Sequence, residues 1–423
     1  MKLKLVALFS ILLFPLARCA SAGPSLRDGD VLAICGDSIT EQRLYSVDIE
    51  TYLLAAKPAE NLRIVQIGWS GESAPGFLAR IGSDVLPFHP TIATTFYGMN
   101  DGRYGPMNPT IGQTYGDSLR SALDALRAGG VRTIIVGSPG AVDTTTYTNA
   151  KRPGGDATVY NQTLADLTDI AKSVALKTHN PFVDVHALML EQMALAKQKY
   201  GINFPFAGGD GIHPLRAGHL VIAYAFLRAL GCNGDLGTIT LDLESGHNQA
   251  TGGQRILSAQ NGVVQVESRK IPFCFTGDPT SANGERSMVD LLPFNEHLNR
   301  LILKVRNAGK GQLRVTWGNA SKDFSSDQLL VGINLPAEFP DGPLNGAFAA
   351  IQKAVAEQQA FETPMVKTLL HSIPAEKQLL PDAGSTFDQL VNQALQRDQA
   401  LFSAAAALAN QPQQHTIKIE PVP

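Results

Sequence analysis

The chain has 423 residues, 44% of them hydrophobic and 17% charged, with a formal net charge of −3. That length accommodates two domains of ordinary size, each able to bury a core of its own. The mildly acidic balance gives no electrostatic footing for nucleic acid, which is excluded as a partner.

Lys2 and Lys4 precede an apolar run from Leu5 to Leu16, and Ala20-Ser21-Ala22 places small residues at a cleavage site. The pattern predicts a signal peptide over residues 1–22, cut after Ala22, and a secreted or periplasmic mature chain. The apolar run is too short for a bilayer, which takes about 20 residues, and no later segment qualifies, so no membrane span is expected after cleavage. A lipidated Cys19 is disfavoured by Arg18, which stands where a small residue is wanted. Export puts Cys35, Cys232 and Cys274 where disulfides can form. Cys35 falls in a predicted strand, and the spacing leaves a Cys232–Cys274 pair open. Without C-x-x-C or H-E-x-x-H, no metal site and no cofactor are expected.

From Asp30 to about Gly231, short apolar runs alternate with longer amphipathic ones. Val31–Cys35, Arg63–Ile67, Thr91–Tyr97, Val131–Val136 and Pro181–Val185 read as strands, with Thr114–Arg127 and Val159–Lys177 among the helices between them. This alternation predicts an α/β domain over residues 23–232, a parallel sheet with helices on both faces. Beyond Cys232 the period shortens. Thr238–Leu243, Val263–Val266, Ile271–Phe275, Leu301–Val305 and Leu313–Trp317 read as strands of a β-rich accessory region, 233–423. Asn307-Ala308-Gly309-Lys310-Gly311 reads as a hairpin turn between the last two. Leu301, Leu303 and Val305 opposite Leu313, Val315 and Trp317 suggest a sandwich with one buried face. Helical additions follow at about 342–410. Phe348, Ile351 and Val355 lie at helical spacing, as do Phe387, Leu390, Val391, Ala394 and Leu395 behind a Ser385-x-x-Asp388 capping box. His415–Val422 reads as a final strand. The accessory region is expected to pack on the first domain and shape its cleft without supplying catalytic groups.

Ligands of parallel α/β sheets bind beyond the carboxyl ends of the strands, so the residues just after each strand carry the chemistry. Gly36-Asp37-Ser38-Ile39-Thr40 follows the first strand and displays a serine there. A serine needs a base, and a histidine serves best when a carboxylate holds its tautomer. Asp210-Gly211-Ile212-His213-Pro214 offers both in one tight loop, although Asp-Gly is also an ordinary turn former. Acyl transfer further needs donors for the developing oxyanion. Gly71, after the second strand, can bring a backbone N–H close, and Asn100, after the third, offers a side-chain amide. Asp37 is expected to cap the helix behind Ser38, Asp101 to support its loop, and His219 to be structural. Asp184 beside His186 would require a different serine. No G-x-S-x-G is present, which excludes the α/β-hydrolase arrangement.

Gly36-Asp37-Ser38, Gly71, Gly98-x-Asn100-Asp101 and Asp210-x-x-His213 resemble, in order and content, the blocks of SGNH hydrolases, also called GDSL-type esterases and lipases. The resemblance covers roughly Asp30 to Gly231. It implies a flavodoxin-like three-layer α/β/α sandwich, here followed by the β-rich module with C-terminal helices. It implies Ser38 as nucleophile, His213 as acid–base and Asp210 as its orienter, with the oxyanion held by the Ser38 and Gly71 N–H groups and the Asn100 amide. Trp69, Arg103 and Tyr104 flank these loops as candidate contacts for a sugar ring or carboxylate, with plain packing as the alternative. The expected substrate is a small or polymeric carboxylic ester. Exported members of the family often deacetylate polysaccharides, so a carbohydrate acetyl esterase on acetylated polysaccharide leads. A short-chain lipase, lysophospholipase or thioesterase is the alternative, ahead of a non-catalytic carbohydrate-binding surface protein.

Overall fold

The computed structural model describes residues 26–148 and 155–422; the expected signal peptide lies outside them. The apolar runs of the first half form strands β1 (Val31–Gly36), β2 (Arg63–Gly68), β3 (Ile92–Phe96), β4 (Thr133–Gly137) and β5 (Phe182–Val183). They are parallel throughout, in the order β2-β1-β3-β4-β5. Successive strand residues point to opposite faces. Ala33, Cys35, Val65 and Ile67 therefore join one core with helices α4 (Pro109–Ala128) and α5 (Ala157–Lys177). Leu32, Ile34 and Ile64 join the other, with α2 (Tyr45–Ala56), α6 (Val185–Tyr200) and α7 (Arg216–Ala229). The result is the three-layer, flavodoxin-like α/β/α fold. Its strand order reverses between β1 and β3, which opens a crevice at their carboxyl ends.

The second half builds two further sheets. One runs β13 (Ile333–Asn334), β10 (Arg300–Arg306), β6 (Asp235–Asp242), β7 (Gln249–Ala250). The other runs β12 (Ala320–Ser325), β11 (Gln312–Trp317), β14 (Gln413–Pro421), β9 (Val263–Ser268), β8 (Gln254–Gln260). Leu301, Leu303 and Val305 share one core with Leu313, Val315 and Trp317, so the sandwich is present. The hairpin is not. Strand β10 is already paired on both sides, with β6 and β13, so β11 crosses to the opposite sheet and pairs there with β12 and β14.

Other expectations are corrected as well. Ile271–Phe275 is not a strand. Pro272 has no N–H for a ladder, and the amide side chain of Asn299 satisfies the Phe273 N–H and C=O at 2.8 and 3.0 Å. Ser385 caps nothing, because the helix Gly384–Ala409 begins one residue earlier, and Asp388 pairs with Lys377. Cys35, Cys232 and Cys274 are all free and buried.

The core on the α2 side runs without a break into the sandwich. Helix Asn345–Pro364 covers the outer side of α2 and the edge of β2, inserting Phe348, Ile351 and Val355. Phe348 is 1% exposed and meets Phe273 edge-on at 4.9 Å. Truncating it leaves a cavity beside Phe273 in the core that the α/β half shares with the sandwich. Phe348→Ala is expected to lower unfolding stability by about 3–5 kcal/mol, read from denaturant midpoints, in one transition that the α/β and sandwich probes share.

Candidate active site

Strand β1 ends at Gly36, and the chain turns at once into the single helical turn α1 (Ser38–Glu41). Asp37 caps that turn, accepting from Ile39 N at 3.0 Å. The turn lies directly on the end of β2. A Cβ at Gly68 would stand 2.3 Å from Glu41 N, so any side chain there would displace the segment that carries Ser38.

Ser38 Oγ is 2.8 Å from His213 Nε2, and His213 Nδ1 is 2.6 Å from Asp210 Oδ2. This network assigns the proton to Nδ1 and leaves Nε2 to accept from the serine hydroxyl. The other oxygen of Asp210 accepts from Ile212 N and His213 N at 2.9 and 3.0 Å. Partial burial works against its charge, but the His213 backbone and ring and the Ile212 N–H outweigh it and hold the carboxyl below its usual range. The loop is pinned from outside, since Asp143 N donates to Gly211 O and Thr148 N to Asp210 O. Asp143 is itself paired with Lys197.

Gly71 and Asn100 converge on the same rim. Trp69 N donates to Gly36 O at 3.0 Å, and Asn100 Nδ2 donates to Glu72 O at 2.9 Å. The loop carrying Gly71 is thus tied to β1 on one side and to Asn100 on the other. Gly71 has φ +76°, and a Cβ there would meet nothing within 4 Å. Of the two Asn100 N–H groups, one is committed to Glu72, while the contact to Asp37 Oδ2 is long, at 3.5 Å.

The three candidate substrate contacts separate. Tyr104 OH donates to Asn100 Oδ1 at 2.9 Å, and its ring stacks on Tyr160. That orients the amide, a supporting role the sequence reading did not give it. The Trp69 ring is packed between the guanidinium of Arg80, 5.1 Å from its centre, and the side chains of Lys367 and His371. Arg103 is exposed, beside a cavity of about 60 Å³ that Ser73, Asn100 and Thr114 also line. A cavity of about 460 Å³ lies elsewhere, between Tyr52, Asn233 and Arg269.

The remaining polar residues fall into support roles. Asp101 Oδ1 accepts from Ala74 N at 2.9 Å, at the start of helix α3 (Ala74–Arg80). Asp184 caps α6, and His186 turns to Gly140 O, away from Ser38. His219 is buried, accepting from Tyr45 N and facing Gln42; burial pushes its pKa down to about 3, which keeps it neutral. Unmarked in the sequence was Glu72, gripped at both oxygens by Arg80 at 2.6 Å and by Tyr97 OH at 2.9 Å. No group of metal-ligating side chains occurs among the described residues.

Residues 34–221 match the model of the GDSL-like lipase/acylhydrolase family. The α/β half of this chain belongs to the SGNH, or GDSL-type, hydrolases. It is an ester-bond hydrolase. An acetylxylan esterase of Geobacillus stearothermophilus is 25% identical over 224 residues, which make up 48% of this chain and 94% of that protein. A solved structure described as a gut microbial diltiazem-metabolizing enzyme aligns over 95% of this chain and 99% of its own, with a TM-score of 0.72 and 19% identity. That likeness concerns the fold alone, and it extends through the sandwich and C-terminal helices.

Burial pushes the Asp37 carboxyl up to about 7, with Asp101 and Glu72 adding to the rise and the Ile39 N–H opposing it. The fold therefore favours its protonated form. Its contribution to stability is greatest below the unfolded value of about 3.9 and falls as pH rises toward 7. Asp37→Asn removes that fall. Its denaturant midpoint should gain on the parent's between about pH 4 and pH 7, by on the order of 2–4 kcal/mol. A midpoint difference that stays constant across the range would contradict this.

Proposed function

We propose that the chain is an exported carbohydrate acetyl esterase working through Ser38, His213 and Asp210. The hydrogen-bonded series from Ser38 Oγ through the His213 ring to Asp210 carries this reading, because a hydroxyl is a competent nucleophile only with a base in reach. Ser38 Oγ attacks the ester carbonyl carbon while its proton passes to His213 Nε2. The negative oxygen is received by the N–H groups of Ser38 and Gly71 and the amide of Asn100. Collapse breaks the bond to the alcohol oxygen, which takes the proton from His213 and leaves an acyl-Ser38. A water then gives its proton to His213 and attacks the acyl carbon. The second collapse releases the acid and returns the proton to Ser38 Oγ. Asp210 stays ionised throughout and steadies the imidazolium.

The acetyl and sugar parts of the proposal rest on the acetylxylan esterase relative and on access. The side chains of His213 and Asp210 are 33% and 39% exposed, which suits an ester projecting from a large alcohol. On this reading residues 1–22 direct export, 23–232 form the catalytic domain and 233–423 the accessory region.

Acetate release from acetylated xylo-oligosaccharides and polysaccharides is the test. Ser38→Ala and Asp210→Asn are expected to lose about 10⁴-fold in kcat, with unfolding midpoints close to the parent's. No release from any acetylated carbohydrate, with butyryl or longer esters cleaved faster than acetyl esters, would favour the lipase or thioesterase alternative. Tyr104→Phe, which leaves the Asn100 amide free to rotate, is expected to lower kcat about 10-fold with little change in KM, less than the 10²–10³ for removing an oxyanion donor outright.

A further inference from the structure

The N–H of Gly71 can stabilise an oxyanion only if it is aimed beforehand, and nothing packs on Gly71 itself. A glycine at φ +76° with open space around it has other conformations at low cost. Its aim therefore depends on what holds its neighbours. Glu72 is held by Arg80. Ser70, on the other side, donates its backbone N–H to the carboxylate of Glu41, the last residue of α1. Both oxygens of that carboxylate are held in turn by Lys367 Nζ, each at 2.9 Å.

Lys367 is 326 residues further along the chain, in the helical turn Met365–Leu370. Its ammonium also lies 4.9 Å from the centre of the Trp69 ring. His371, just beyond, packs on that ring at 4.7 Å and is anchored 3.0 Å from Asp84 Oδ2. Of the two residues before Gly71, Trp69 is thus gripped directly by a C-terminal arm, and Ser70 through Glu41. The curated acetylxylan esterase aligns over 94% of its own length within 224 residues of this chain, which leaves it little sequence to supply such an arm.

We infer that Lys367, acting through Glu41, is a positioning residue for the oxyanion hole, so that the C-terminal arm completes the catalytic site. The inference rests on Gly71 serving as an oxyanion donor. Lys367 touches no reacting atom. Its ion pair fixes the carboxylate that fixes Ser70 N–H, and with it the direction of the next N–H in the chain. Glu41 is kept charged for this task. Partial burial opposes its ionisation, but Lys367 and Ser70 hold its carboxyl below the ordinary range.

The test compares full-length Lys367→Met, Glu41→Gln, the double variant and Lys367→Arg, with Ser38→Ala alongside, on an acetyl ester. Lys367→Met is expected to lower kcat about 10-fold with KM within about 2-fold, since the donor is loosened rather than removed. Affinity for methylboronic acid, whose adduct on Ser38 carries the oxyanion charge, should fall in parallel. The double variant should lose no more than the worse single one, because both break one chain of contacts, and Lys367→Arg should recover most of the loss. Lys367→Met with parental kcat and boronate affinity overturns the inference and leaves the triad standing. Additive losses, or a loss matched by a drop in the unfolding midpoint and not rescued by Arg, overturn it as well. Ser38→Ala retaining turnover overturns the catalytic reading and this inference with it.

Discussion

Helix α2 is buried on every side, and the rest of the molecule is arranged around that fact. Its apolar residues face the sheet, as expected of an α/β layer, yet Ser46, Asp48, Glu50 and Thr51 are also at 0% exposure. Polar groups taken from water must find partners or they destabilise the fold. Ser46 Oγ donates to Gln359 Oε1 and Gln359 Nε2 to Glu50 Oε2, both at 2.7 Å. Asp48 accepts from Arg216 and Gln352. Gln352 and Gln359 come from the helix Asn345–Pro364, between β13 and β14, so the second half of the chain supplies partners for polar groups of the first. Beside them Glu50, Glu362 and Asp398 lie close enough to influence one another, Asp398 is paired with Arg63, and burial pushes all three carboxyls upward.

The catalytic rim inherits its rigidity from that arrangement. Strand β1 brings Ser38 to the point where the sheet order reverses, and the glycine at the end of β2 lets the serine-bearing turn lie against the next strand. The proposed base, His213, arrives on the last loop before α7, braced by the segment around Asp143. Each candidate oxyanion donor is held by a neighbour with another duty: Asn100 by Tyr104, and the Gly71 loop by Trp69, Glu41 and Glu72. The site is assembled from five strand-end and loop segments, and its precision depends on contacts among them more than on any one.

Local signals were sufficient for much of this. Continuous apolar runs and the helical stretches between them disclosed all five strands of the parallel sheet, with boundaries off by a residue or two. That Ser38, Asp210 and His213 come together could be read because each sits where a strand or tight loop must display it. Residues whose meaning depends on distant partners were not visible. Nothing near Lys367 indicates Glu41, and the polar side of α2 reads as solvent-facing until the helix that covers it is in place. The mistaken hairpin has the same origin. Alternation in Leu301–Val305 and Leu313–Trp317 reported inward faces correctly, but it cannot say whether two such faces belong to one sheet or oppose each other across a core. Tyr104 was noticed for its place beside the catalytic loops and turned out to steady an amide.

Strand β14, residues Gln413–Pro421, lies in the middle of its sheet, paired with β9 on one side and β11 on the other. Its partner β9 precedes it by about 150 residues, a separation that makes pairing slow. As the chain is synthesised, β9 and β11 must wait as unsatisfied edges, and the sheet cannot close until residue 421 has left the ribosome. This five-stranded sheet is therefore obliged to close late, after its central strand has been made, whereas the sheet of β13, β10, β6 and β7 pairs without it.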